Sequence, residues 1–182
     1  MGPTLRRLVL PMVVAAGVFG PSLADADAGA DAGAGADTDT GELRNWFNDP
    51  FFQISSGVRD CPVPAGPFVS ESDRRVQAHR RAEKGTTCWL ARECDRPNAY
   101  AYDEDIAAAI KAALRERNPF AATSLWVTVQ GRVVYVEGCV TRASQEAEIE
   151  AFVRSLPHVQ QALAIVRSDA STRPPYRLRH PM

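Results

Sequence analysis

The chain has 182 residues, 21 basic and 22 acidic side chains, and a net charge of −1, which gives general nucleic-acid binding no electrostatic support. Its length allows one ordinary domain with tails, or a small domain with a large accessory segment. Residues 1–24 read as a secretory signal peptide: Arg6 and Arg7, the apolar run LVLPMVVAAGVFG, then Ser22-Leu23-Ala24 at a small-residue cut site. The run is short and broken by Pro11 and Gly17, so no integral membrane span is expected once cleavage near Ala24 has occurred. The expected compartment is the periplasm.

Residues 25–41, DADAGADAGAGADTDTG, hold almost no large side chains and predict a disordered acidic linker. Residues 42–100 form a cysteine-containing extension. Its first part carries Trp46, Phe47, Phe51, Phe52 and Phe68 among prolines at 50, 62, 64 and 67, so it reads as extended or turning chain seeking a folded surface. A helix is expected over about 71–84, capped by Ser70 or Ser72 and ended by Gly85. Arg74 and Arg81 share one side of that helix. They are candidate contacts for a phosphate or lipid head group, against the plainer reading of a solvated basic face.

From Asp103 the pattern becomes regular. Asp103-Glu104-Asp105 starts a helix with Ile106, Ile110 and Leu114 at helical spacing, and Asn118-Pro119 ends it. WVTVQGRVVYVEGCV then reads as a hairpin with a three-residue, bulged turn around Gly131. Thr141 and Ser144 are cap candidates for a second helix, whose buried stripe is Ile149, Phe152, Val153 and Leu156. Pro157-His158 breaks it before a last strand, QQALAIVRS. Residues 170–182 are a basic, proline-rich tail, expected to be unstructured. Arg173, Arg177 and Arg179 in it are further candidate contacts for an anionic lipid or a partner.

Cys61, Cys88, Cys94 and Cys139 are an even set in an exported chain, which argues for two disulfides. A zinc site would want paired cysteines near histidines, and His79, His158 and His180 are scattered. No nucleophile elbow, phosphate loop or HExxH run is present, so neither catalytic residues, a metal nor a cofactor is assigned.

Residues 103–169 resemble the BON (bacterial osmotic-shock and nodulation) domain, which sets the expected domain at 101–169. The matching features are Asp103 with Ile106, Ile110 and Leu114, the run QGRVVYVEGCV with its Gly138-x-Val140, and Pro157-His158-Val159 leading into Ala162 and Ile165. One departure is His158, where that family places glycine. The resemblance implies an α+β sandwich, α-β-β-α-β, with two helices on one face of a three-stranded mixed sheet. It also implies a non-enzymatic envelope protein that binds phospholipid surfaces, or alternatively an adaptor for an envelope protein, with osmotic stress as a setting.

Such a sandwich leaves Trp126, Thr128, Val133, Tyr135 and Cys139 on the uncovered sheet face. Wetting those large side chains forgoes roughly 1.5–3 kcal/mol each. The extension, including Phe52 and Trp89, is therefore expected to fold over that face, fastened through Cys139. The favoured pairing is Cys61–Cys139 with Cys88–Cys94, closing loops worth about 4.5 and about 2.4 kcal/mol. Cys61–Cys88 with Cys94–Cys139 stands as the rival.

Overall fold

The computed structural model describes residues 42–179. The expected signal peptide and the whole of the expected linker, residues 25–41, lie outside the described residues. In chain order the elements are β1 (Phe51–Ser56), α1 (Glu71–Leu90), a short 3-10 turn (Ala99–Tyr102), α2 (Asp103–Glu116), β2 (Ser124–Gln130), β3 (Val133–Cys139), α3 (Gln145–Arg154) and β4 (Gln161–Arg167). The mixed α+β character follows the expectation, but the sheet has four strands, in the order β1-β2-β3-β4. β1 is the correction: it pairs antiparallel with β2, Phe52 opposite Val127 and Ser56 opposite Ser124, with a shift in register between Gln53 and Ser55.

β2 and β3 form the expected hairpin, and β4 runs parallel to β3, with Val134 beside Ala162. A parallel neighbour needs a crossover, and α3 provides it. The hairpin turn is tighter than expected. Gln130 pairs with Val133, so only Gly131 and Arg132 turn, at φ 60° and 68°. Positive φ at both central residues is the type I′ requirement, whose twist matches that of the strands. Gly138, at φ 145°, is needed for a different reason: a Cβ there would fall 2.0 Å from the Ser124 carbonyl oxygen. Its missing side chain lets β2 and β3 approach.

Side chains on alternate strand residues divide between the two faces. Leu125, Val127, Val129, Val134, Val136, Ala162 and Ala164 turn to α2 and α3 and form the main core with Ile106, Ile110, Ile149 and Val153. Because β1 joins the sheet, Phe52 packs against this core and not over the opposite face. On that opposite face Trp126 is 8% exposed, and Val133, Thr128 and Cys139 are also buried.

The cover comes from two directions. Residues 58–69 cross the face, joined to it by the Cys61–Cys139 disulfide, with Cα atoms 5.9 Å apart. The C-terminal segment crosses beside them. Pro64 and Leu178 form an antiparallel bridge, and the Ala65 amide donates to the Arg177 carbonyl at 2.7 Å. The Tyr176 hydroxyl donates to the Pro62 carbonyl at 3.0 Å and lies 3.7 Å from Cys61 Sγ. The expectation of an unstructured tail is thus overturned for residues 170–179: Pro174 and Tyr176 are buried. Trp89 takes no part and stays 47% exposed at the end of α1.

α1 runs to Leu90, past Gly85. A Cβ at Gly85 would lie 3.0 Å from the Asn98 side chain, so this glycine marks a close approach inside the helix, not its end. Cys88 and Cys94 are bonded across the turn that follows, where Arg92 takes φ 60°. Ser70 caps α1 by accepting from the Asp73 amide. At α3 the capping is done by neither Thr141 nor Ser144: the buried Gln145 side chain accepts from the Thr141 and Arg142 amides at 2.8 and 3.2 Å. His158 adopts φ 66°, the left-handed position for which glycine is suited, while its carbonyl accepts from Arg132 Nε at 2.9 Å.

Asp103 ties α2 to the hairpin. Its carboxylate is buried and accepts from the Gly131 and Arg132 amides at 2.7 and 2.9 Å. Burial pushes its pKa up to about 6, against the downward pull of those amides. A folded value above the ordinary 3.8 means the native state holds the proton more tightly. That stabilisation is complete below the unfolded value and is lost as pH rises through about 6. Urea melts should therefore show stability falling between about pH 4 and pH 6, by on the order of 2 kcal/mol from this group. Asp103→Asn should flatten that slope, and an unchanged slope would refute the assignment.

Candidate functional site

The five arginines singled out in the sequence do not form one surface. Arg81 turns inward. Its side chain is 16% exposed, and its two terminal nitrogens donate to Asp49 Oδ1 and Oδ2 at 2.8 and 2.9 Å. Phe47 and Tyr100 flank the guanidinium at 4.2 and 3.8 Å. Gln130 Nε2 donates to the same carboxylate at 2.6 Å. Arg81 therefore fastens α1 to the chain before β1, with Gln130 of the hairpin on the same carboxylate, and is not a surface contact. Positions 74, 77, 81, 85 and 88 form the less exposed stripe of α1, which explains why this helix is otherwise polar. Arg173 lies apart from the others, on a cleft beside the Cys61–Cys139 bridge.

Arg74, Arg177 and Arg179 do come together, with a fourth member that sequence reading missed. Arg44 and Arg74 sit 5.4 and 5.5 Å from the Trp46 ring, sharing one indole. Trp46 is held in place by donating from Nε1 to the Val69 carbonyl at 2.9 Å, and Arg44 bridges to Val69 through the backbone. Arg179 lies 3.9 Å over Phe68, and its amide donates to the Val63 carbonyl. Arg177 reaches Asp73 at 4.0 Å. Leu43 and Val63 are 36% and 43% exposed beside these cations. Only the pairing of the N-terminal chain with residue 69 brings Arg44 here, and no local motif signals it.

Acidic neighbours partly offset the charge. Glu42 meets Arg44 at 2.8 Å and Glu71 meets Arg74 at 3.6 Å, both in exposed pairs that contribute little to stability. Beneath the tail, burial raises the Glu137 carboxyl to about 6, opposed by the nearby positive charge of Arg177. The patch thus combines cations, aromatic rings and exposed aliphatic side chains, a composition suited to an interface between water and apolar material. Among the described residues no group of three or more His, Cys, Asp or Glu side chains is placed to hold a metal. Among them, too, no helix is long and apolar enough to cross a membrane.

Residues 102–162 match the family model of the BON domain. No curated protein and no solved structure matches the chain. The matched stretch spans α2, β2, β3, α3 and the start of β4. It leaves out the chain before β1, residues 58–69, α1 and the C-terminal segment, which supply the cationic patch.

Proposed function

We propose that this chain, whose residues 102–162 are a BON domain, is a non-enzymatic accessory protein of the cell envelope, exported to the periplasm, that binds anionic phospholipid surfaces. A BON module suggests a phospholipid- or protein-binding role in general. The observation that carries the lipid reading is the patch of Arg44, Arg74, Arg177 and Arg179 around Trp46 and Phe68, with Leu43 and Val63 exposed beside it. Head-group phosphates would meet the guanidiniums, while the aliphatic side chains enter the interface.

Flotation with phosphatidylglycerol vesicles tests this. Binding should weaken with salt and fail on phosphatidylcholine. Each basic residue near such a surface contributes about 1 kcal/mol, so replacing Arg44, Arg177 and Arg179 by Gln should lower affinity roughly 100-fold. Binding that ignores salt and this triple substitution would reject the reading.

An adaptor role in an envelope complex is the second reading. It is favoured by β1, the terminal strand of the sheet, which runs beside a groove of about 400 Å³ lined by Phe52, Ile54 and Leu114 with Lys111 and Arg115 at its rim. An extended acidic segment added to that edge fits the groove's chemistry. Vesicle binding untouched by an edge substitution such as Gln53→Pro would separate the two surfaces.

A further inference from the structure

A second basic feature lies away from the patch. A cleft of about 620 Å³ opens beside the Cys61–Cys139 bridge, lined among others by Arg59, Arg167 and Arg173, by Asp60, and by the hydroxyl-bearing Ser171 and Thr172. Its volume is that of a small-molecule site. Three guanidiniums face one carboxylate around it, so its local charge is positive although the chain as a whole is nearly neutral. This contrast singles the cleft out, because nothing in the overall composition favours anions.

Both walls are fixed. The disulfide pins the 58–62 wall to β3. The opposite wall is the loop after β4, which wraps around Arg167: Nη1 donates to the carbonyls of Ala170 and Thr172. Asp169 tightens the same loop, its carboxylate accepting from the Ser171 amide and hydroxyl at 2.8 and 2.7 Å. Those bonds hold Arg167 in place, and the Asp169 carboxylate beside it offsets part of its charge. Arg167 Nε is buried and has no hydrogen-bond partner. A buried guanidinium donor left unmet by the protein is costly.

The geometry points to a binding site for a phosphate ester. Arg59, Arg167 and Arg173 would hold the phosphate oxygens, since guanidinium forks match that geometry. Asp60 would accept from a hydroxyl on the esterified alcohol, which favours a glycerophosphate group over a bare anion. The site does not depend on the cationic patch, and shares none of the arginines assigned to it. The glycerophosphate group has two sources, a free metabolite or a lipid head group.

The test is a titration of the full, oxidised chain with glycerol 3-phosphate, and separately with inorganic phosphate, followed by amide NMR. The expected result is saturable shifts at Arg167, Ser171 and Thr172, stronger for glycerol 3-phosphate. Arg59→Gln with Arg173→Gln, both exposed positions, should weaken binding by roughly tenfold per lost guanidinium. Asp60→Asn should erase the preference over inorganic phosphate. The variant lacking Arg44, Arg177 and Arg179 should bind as the parent does. Competition between glycerol 3-phosphate and phosphatidylglycerol vesicles identifies a lipid head group as the ligand, and binding without competition identifies the free ester. No saturable shifts, or shifts that persist in the Arg59→Gln, Arg173→Gln chain, would overturn the site whatever the vesicles do.

Discussion

Replacing Cys61 and Cys139 by serine is expected to lower unfolding free energy by about 4.5 kcal/mol. The bridge joins positions 78 apart in sequence, and closing so long a loop removes much of the entropy of the unfolded chain. Small domains are stable by only about 5–15 kcal/mol, so this is a large share of the total. The loss should be concentrated in the cover. Segment 58–69 is held to the sheet by this bond, and Tyr176 packs beside both sulfurs, at 3.7 and 3.9 Å. Trp126 should then become wetter, and its fluorescence should shift to the red. Serine at Cys88 and Cys94 opens a loop of only a six-residue separation and should cost about 2 kcal/mol, without wetting Trp126. Urea melts of the two paired variants decide. A loss under about 1 kcal/mol for Cys61 and Cys139 would mean that packing alone holds the cover down.

The parts of this fold that could be read from sequence are those whose signal is local. Ile106, Ile110 and Leu114 repeat at helical spacing, and the β2 and β3 valines alternate, so α2 and the hairpin declare themselves. The need for a cover could also be read, because Trp126 and Val133 would otherwise lie in water. β1 could not. FFQISS shows no clean alternation, and it becomes a strand only because β2 offers an unpaired edge. The C-terminal segment misleads for the same reason. Its prolines and arginines resemble a free tail, yet Leu178 finds Pro64 and Tyr176 finds Pro62, more than a hundred positions away. At the candidate surface the arginines could be listed from sequence, but not sorted. Arg74 and Arg81 occupy one side of one helix. The difference between a surface cation and a buried one is Asp49, 32 residues distant.

Arg81→Met is expected to destabilise the chain by about 3–5 kcal/mol, because it leaves the Asp49 carboxylate buried and without its counter-charge. The Asp49 side chain is 3% exposed, and the fork of Arg81 meets both its oxygens. Gln130 would remain as a donor, but a neutral amide does not offset a buried charge. Arg81→Lys should recover little, since a single ammonium cannot bridge both oxygens or stack between Phe47 and Tyr100. Asp49→Asn combined with Arg81→Met should recover much of the loss, because no orphaned charge is left. Urea melts at neutral pH measure all three results. Arg81, Asp49 and Tyr100 belong to the extension, while Gln130 lies at the hairpin end of the stretch that matches the BON family model, so the Gln130–Asp49 bond makes this buried pair a second fastening of the extension, remote from the disulfide. A lipid-contacting Arg81 would behave in the opposite way. Its loss would weaken vesicle binding and leave the melt unchanged, and that outcome would return Arg81 to the surface.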